Sequence, residues 1–473
     1  MIEPYSCSIW NDRLQERGTY NNMLEKFFKL SENKTTFSRE LVAGLTTFAA
    51  MAYIIVVNPS TLTGFGEPGA MFIATILASA VSTALIGLIA NIPYAAAPGL
   101  GLNNTAANIL AGYTAYLVGL SAEGIIAVVL LSGLINVLIT VTNIRKFIIA
   151  AIPQSLQNAI GAGIGMFIIY IALCNVGIVH FTFGIPSINT GIAWQTLVVF
   201  LIGLGTIIFL LIRKVNGAIL IGIIVATLVG IPLGVTNFNA GYNISEAWSA
   251  YTHWFGRPIT VGLPELFSDV KNIIPTFIGI LSFSLSDIFD TIGTFIGTGK
   301  ASGIFTDFDL KDMKEGSGFD SKMDKALFAD AIATPIGAIF GTSSTTTYVE
   351  SAAGIGAGGK TGLTSLVVAV CFLLSLPLAG FVSGIPSAAT APALLIVGVM
   401  MLGSLNDINW DDYEEAIPAM FASVPMALTY GITNGIMLGF WSYTFVKLVS
   451  GKYKEIHPVI WISSILFILN YMI

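Results

Sequence analysis

Carboxylates stand in this chain where carboxylates are costly. Glu350 lies in GTSSTTTYVESAAGIGAGGKTG, residues 341–362, between strongly apolar segments. Asp287 and Asp290 lie in SLSDIFDTIGTFIG, residues 284–297, and Asp330 in a further apolar run. An ionisable group at membrane depth marks a functional site by default. A carboxylate offers two coplanar acceptors to a flat edge carrying N–H donors. It can also hold and exchange a proton, so one group can bind a ligand and carry a coupled ion. Asp287 sits three residues before Asp290, close to one helix face, where it can tie helices together or tune its neighbour. Asp330 can tie helices through Ser or Thr.

The elements around these acids read as membrane spans. Of 473 residues, 55% are hydrophobic and 10% charged, against roughly 25% charged in soluble domains. At about 20 apolar residues per span, the chain holds on the order of a dozen or more. A first set falls near residues 40–57, 69–90, 94–111, 122–143, 155–177, 191–213 and 216–233. A polar loop, 234–270, separates it from a second set near 272–297, 324–341, 344–358, 361–384, 386–404, 415–447 and 457–472. Residues 415–447 are long enough for two short passes or one broken helix, and the sequence leaves both open. Arg13, Arg17, Lys26, Lys29, Lys34 and Arg39 precede the first span and place the N-terminus in the cytoplasm. An amphipathic piece near Met23 and Leu30 suits the membrane surface. Arg145, Lys146, Arg213, Lys214, Lys300, Lys325 and Lys360 fall on that same side, whereas Lys447, Lys452 and Lys454 fall outside if fourteen single spans are counted.

Two spans are abnormal in the same way. NIPYAAAPGLGLN, residues 91–103, is broken by Pro93, Pro98, Gly99 and Gly101, and residues 341–354 are broken by Thr, Ser and Gly. Each is third in its set of seven. Interrupted segments at matching places in two halves point to a transporter site near the midplane. The echo of Ile152-Pro153-Gln154-Ser155 in Ile385-Pro386-Ser387 supports a duplication, and an odd number of spans per half makes the halves inverted.

Four separated motifs now carry a resemblance. ELVAGLTTFAAMAYIIVVNP at residues 40–59, NIPYAAAPGLGLN, SDIFDTIGTFIG and the 341–362 stretch are similar, in order, to the signatures of AzgA-like purine permeases. These belong to the nucleobase–cation symporter family that also contains uracil and xanthine permeases. The resemblance covers nearly all of residues 37–450. It implies an all-α polytopic membrane protein, a 7+7 inverted-repeat transporter of about 14 spans. The third and tenth spans would each be a short strand plus a half-helix. It implies a cytoplasmic segment 1–36, core segments 37–143 and 271–384 (spans 1–4 and 8–11), gate segments 144–233 and 385–473 (spans 5–7 and 12–14), and an external loop 234–270.

The function so implied is import of adenine, guanine or hypoxanthine across the plasma membrane by proton symport. Asp290 and Glu350 match the substrate-side acids. Thr345, Thr346, Thr347 and Tyr348 are expected in the tenth-span strand, with Ala95, Ala96 and Ala97 as its third-span counterpart. The half-helix after Tyr348 would turn its positive end toward the site. Asn103 and Asn104 follow the third-span break; Asn103 is expected near the purine, with helix capping the plain alternative. Thr294 stands where uracil-type relatives carry a His, which puts a His-assisted proton route there in doubt. Glu350, Asp290 and Asp287 are the proton-coupling candidates, and Tyr53 and Asn58 are further lining candidates. A homodimer through the gate domain is a further expectation.

Other classes fit poorly. No basic patch with interleaved aromatics suggests nucleic acid. Cys7, Cys174 and Cys371 have no metal or redox spacing. His180, His253 and His457 fall at span edges or loops, and no cofactor is expected beyond the coupling proton. The glycine run 354–359 lacks phosphate-loop spacing. No protease or other enzyme signature accompanies the acids. The rival cargo readings are an anion transporter or channel of the same fold and a uracil or xanthine permease.

Overall fold

In the computed structural model the described residues are 24–112, 117, 119–142, 144, 152–182, 185–215, 217–238, 243–295, 298, 303–306, 309, 321–382, 384–429 and 431–472. Met23, Arg13, Arg17, Arg145, Lys146 and Lys300, named above for orientation, lie outside them.

The first repeat begins with α1 (Phe37–Met51) and α2 (Ile54–Thr61), one span interrupted at Ala52 and Tyr53. Next come α3 (Pro68–Ala90), strand β1 (Ala96–Pro98), α4 (Leu100–Leu110) and α5 (Ala122–Val141). Its remaining members are α6 (Gln154–Asn175), the hairpin β2 (Val179–Thr182) and β3 (Ile185–Ile188), α7 (Trp194–Ile212) and α8 (Ala218–Gly230). The loop carries α9 (Ile244–Trp254). The second repeat runs through α10 (Ile273–Thr294), α11 (Lys322–Ile339), strand β4 (Thr345–Thr347), α12 (Ser351–Gly356), α13 (Gly362–Leu374), α14 (Ser387–Met401), α15 (Tyr413–Leu428) and α16 (Ile432–Val449), followed by α17 (Pro458–Met472). The protein is an all-α polytopic membrane protein of two inverted seven-span repeats. Seven helical stretches among the described residues, α1 and α2 counted as one, are long and apolar enough to cross a bilayer.

The short strands follow from the residues around them. Asn91 ends α3 in the left-handed region at φ 51, and the prolines at 93 and 98 cannot continue a helix. Gly341 opens the way into β4 at φ +87, where a side chain is strained. β1 and β4 then pair antiparallel, Ala96 opposite Thr347, Ala97 opposite Thr346 and Pro98 opposite Thr345. Gly99 N–H donates to Ser344 O at 2.8 Å and Tyr348 N–H to Ala95 O at 2.9 Å, extending the ladder at both ends. Non-helical backbone at membrane depth persists where protein buries and pairs it. All six strand residues are buried.

Two bundles share the molecule. In one, α1, α3, α5, α10, α11, α12 and α13 pack on one another around the strand pair. In the other, α6 packs against α14 and α15, and α7 and α8 pack on each other and on α14. Close approach in the first bundle rests on glycine: a Cβ at Gly362 would stand 1.9 Å from Gly87 O. On the second bundle the outward faces are apolar; Leu201, Phe209 and Ile212 of α7 are exposed, as a lipid-facing helix requires.

The open question at 415–447 resolves as two helices. α15 and α16 fold back on each other across residues 429–431. Glu414 at the start of α15 pairs with Lys447 at 3.0 Å and Lys452 at 2.7 Å. The start of α15 and the end of α16 therefore share one side, which removes the charge conflict of a single pass there. Residues 458–472 form an additional helix after the second seven.

Candidate functional site

A cavity of about 420 Å³ lies between the two bundles, within the range of small-molecule sites. The first bundle contributes Tyr53 at the break of its first span, Gly99, Leu100 and Gly101 where β1 meets α4, Asp290 and Thr294 of α10, and Thr347, Tyr348, Val349 and Glu350 where β4 meets α12. The second bundle closes the other wall with Ile164, Ile168, Val397 and Met401. One end is polar, with Gln154, Gln157 and Asn158 of α6 and Ser404 and Asp407 beyond α14.

Glu350 is buried and is the residue that precedes α12. The Tyr53 hydroxyl donates to its Oε1 at 2.5 Å. Asp290 faces the same cavity from α10 and makes no hydrogen bond among the described residues. The Tyr348 hydroxyl donates to Pro98 O at 2.5 Å, which fixes the ring across the strand pair. Two carboxylates on different spans thus look into one chamber that the end of strand β4 also lines through Thr347. That arrangement can grip the edge of a planar ligand through its N–H donors, with small residues along both strands leaving space for its face.

The other buried acids serve the scaffold. Asp287 accepts from Asn136 Nδ2 at 3.0 Å, Thr334 Oγ1 at 2.9 Å and Ser344 Oγ at 3.1 Å. It joins four spans and does not line the cavity. Asp330 accepts from Thr347 N–H at 3.0 Å, Thr347 Oγ1 at 2.8 Å and Thr291 Oγ1 at 2.5 Å. It holds strand β4 against α10 and α11.

Of the site residues read from the sequence, Glu350, Asp290, Thr347, Tyr348 and Thr294 meet at the cavity. Ala97 and Thr346 form the strand pair beneath it. Asn103 points elsewhere: its Nδ2 donates to Asn58 Oδ1, and Asn58 Nδ2 donates to Thr75 Oγ1 at 2.6 Å and Thr342 Oγ1 at 3.0 Å. That network ties four spans behind the site. Asn104 Nδ2 donates back to Leu100 O at 3.0 Å within α4. The α6 contribution escaped the sequence reading. Its signal was present, since Gln154, Gln157 and Asn158 fall on one helical face at spacings of three and four.

Comparison with known proteins places the chain in a family. The family model described as Permease family (Xan_ur_permease) matches residues 38–438. The chain is 38% identical over 456 residues to the guanine/hypoxanthine permease PbuO of Bacillus subtilis (strain 168), covering 94% of this chain and 100% of that protein. It is 36% identical over 454 residues to the adenine permease AdeP of Escherichia coli (strain K12), covering 95% and 96%. Among solved structures, the transmembrane domain of a cyanobacterium bicarbonate transporter, BicA, superposes with a TM-score of 0.60 at 16% identity, covering 85% of this chain and 96% of that one, a likeness of fold alone. A matched family model over most of the chain and full-length relatives of this identity make the chain a member of the Permease family, a transporter and not an enzyme.

Proposed function

We propose that this protein imports purine nucleobases by proton symport, moving its first bundle as a core against its second as a gate. The observation that carries the reading is the meeting of Glu350 and Asp290, from two different spans, in one cavity between the bundles. A neutral purine presents N–H donors along a flat edge, and paired carboxylates supply the complementary acceptors. A carboxyl that must give up water on burial can travel protonated and release its proton on the opposite side, which couples cargo to proton. The relatives named for guanine, hypoxanthine and adenine support the purine class. An anion cargo would face three acids, Glu350, Asp290 and Asp407, and no Lys or Arg lines the cavity among the described residues. The plasma membrane, with the N-terminus cytoplasmic, is the location this reading implies.

Uptake of radiolabelled adenine, guanine, hypoxanthine, xanthine and uracil into proteoliposomes tests it, with and without an inward proton gradient. Gradient-dependent accumulation of at least one purine is expected. Bicarbonate or chloride flux without purine uptake would replace it with the anion reading.

A further inference from the structure

We propose that Tyr53 is a positioning residue for transport: its phenol fixes the Glu350 carboxylate in the cavity and sets the pH at which that carboxylate exchanges the coupled proton. The proposal rests on the proton-symport reading above.

The geometry is specific. The first span breaks between α1 and α2 at Ala52 and Tyr53, which brings the Tyr53 ring, fully buried, to the cavity wall. Its hydroxyl reaches Glu350 Oε1 at 2.5 Å, across 297 residues of sequence. Glu350 sits between a three-residue strand and a six-residue helix. Tyr53 is therefore the tie from another span among the described residues. One bond to Oε1 leaves the carboxylate further lone pairs for a ligand N–H.

A phenol donates more strongly to an ionised carboxylate than to a neutral acid. The Tyr53–Glu350 bond is thus stronger when Glu350 is ionised than when it is protonated. The other titratable groups facing Glu350 are Tyr348, beside it, and Asp290 on α10, itself influenced by Asp330 on α11. None of these donates a hydrogen bond to Glu350 among the described contacts, so Tyr53 is the neighbour that discriminates its two protonation states by direct bonding.

Two versions of the full chain test the proposal in proteoliposomes, alongside the wild type and with uptake of the transported purine measured across pH. Tyr53→Phe deletes only the hydroxyl. It is expected to raise KM roughly tenfold, as loss of a hydrogen bond to a charged group does, while the maximal rate changes far less. The pH at which uptake falls to half should move toward alkaline by on the order of one unit. Replacing Tyr53 by 3-fluorotyrosine keeps the shape and makes the phenol a stronger donor, so the midpoint should move toward acid. A purely structural role would not produce opposite shifts. Unchanged midpoints in both proteins, with wild-type purine uptake intact, would overturn the proposal and leave the purine reading standing. If Tyr53→Phe does not fold, an unshifted midpoint in the fluorotyrosine protein is sufficient to overturn it. A wild type that moves no purine overturns the functional reading and this proposal together.

Discussion

Asp330 shows how a buried acid can matter without touching the cargo. It receives a backbone N–H and a hydroxyl from Thr347 and a second hydroxyl from Thr291. Asp330→Ala orphans these donors in a buried setting, at about 1–3 kcal/mol each. The expected result is a lowered thermal midpoint together with loss of purine binding, because strand β4 carries Thr347 and Tyr348 into the site. Asp330→Asn should retain part of both, since an amide oxygen still accepts. Thermal unfolding and equilibrium binding on purified protein check this. Glu350 and Asp290, which line the cavity, stood out in the sequence because a carboxylate in an apolar run is too costly to persist without a task there. Asp287 and Asp330 carried the same signal, yet they serve the scaffold. Sequence alone does not distinguish an acid facing a cavity from one facing three hydroxyl and amide donors on neighbouring spans.

Elements in this fold are held by devices at their ends. Glu40, fully buried near the start of α1, accepts from the backbone N–H groups of Lys360 at 2.9 Å, Thr361 at 3.2 Å and Thr364 at 3.3 Å. In the first turn of α13, whose N–H groups have no helical partner, it takes that of Thr364, while Gly362 N–H donates to Asn91 Oδ1 and Leu363 N–H to Thr361 Oγ1. Glu40→Ala should lower stability by about 2 kcal/mol or more, read as a drop in thermal midpoint and in membrane yield. Nearby, α3 and α13 touch backbone to backbone. Gly362→Ala would place a Cβ 1.9 Å from Gly87 O, so the helices must separate, costing about 1–3 kcal/mol as overpacking does. Normal accumulation and unchanged thermal stability of Gly362→Ala would contradict that packing. The broken third and tenth spans were readable from Pro and Gly at matching positions. Their joining into one strand pair, and the register of Ala97 opposite Thr346, depended on the family resemblance and on long-range contact that periodicity does not encode. The α15–α16 hairpin was undecided in sequence because Gly431 and its neighbours interrupt an apolar run too weakly to mark a turn.

At the scale of the whole molecule, the proposed transport cycle depends on the boundary between two bundles. Gly101 of α4 and Ile164 of α6 face each other there: a Cβ on Gly101 would lie 2.8 Å from Ile164 Cγ2. Cysteines at these two positions, with the native cysteines replaced by alanine, should form a disulfide under oxidation and fix core against gate. Uptake is expected to stop on oxidation and to return on reduction. Uptake that continues through the cross-linked state would rule out relative motion at this boundary. The inverted duplication was visible in the sequence through the paired broken spans. The cavity wall given by the second bundle was not, because Ile164, Val397 and Met401 look like any other apolar span residues until the bundles are brought together.

The central claim is that Glu350 and Asp290 together bind the cargo and carry its proton. The most direct test is purine uptake against pH, in proteoliposomes, by the wild type, Glu350→Gln and Asp290→Asn, each with insertion and folding verified. Glu350→Gln is expected to abolish gradient-driven accumulation, and Asp290→Asn to weaken purine binding at least tenfold, by loss of a hydrogen bond to a charged group. Wild-type uptake and pH dependence in both variants would contradict the claim.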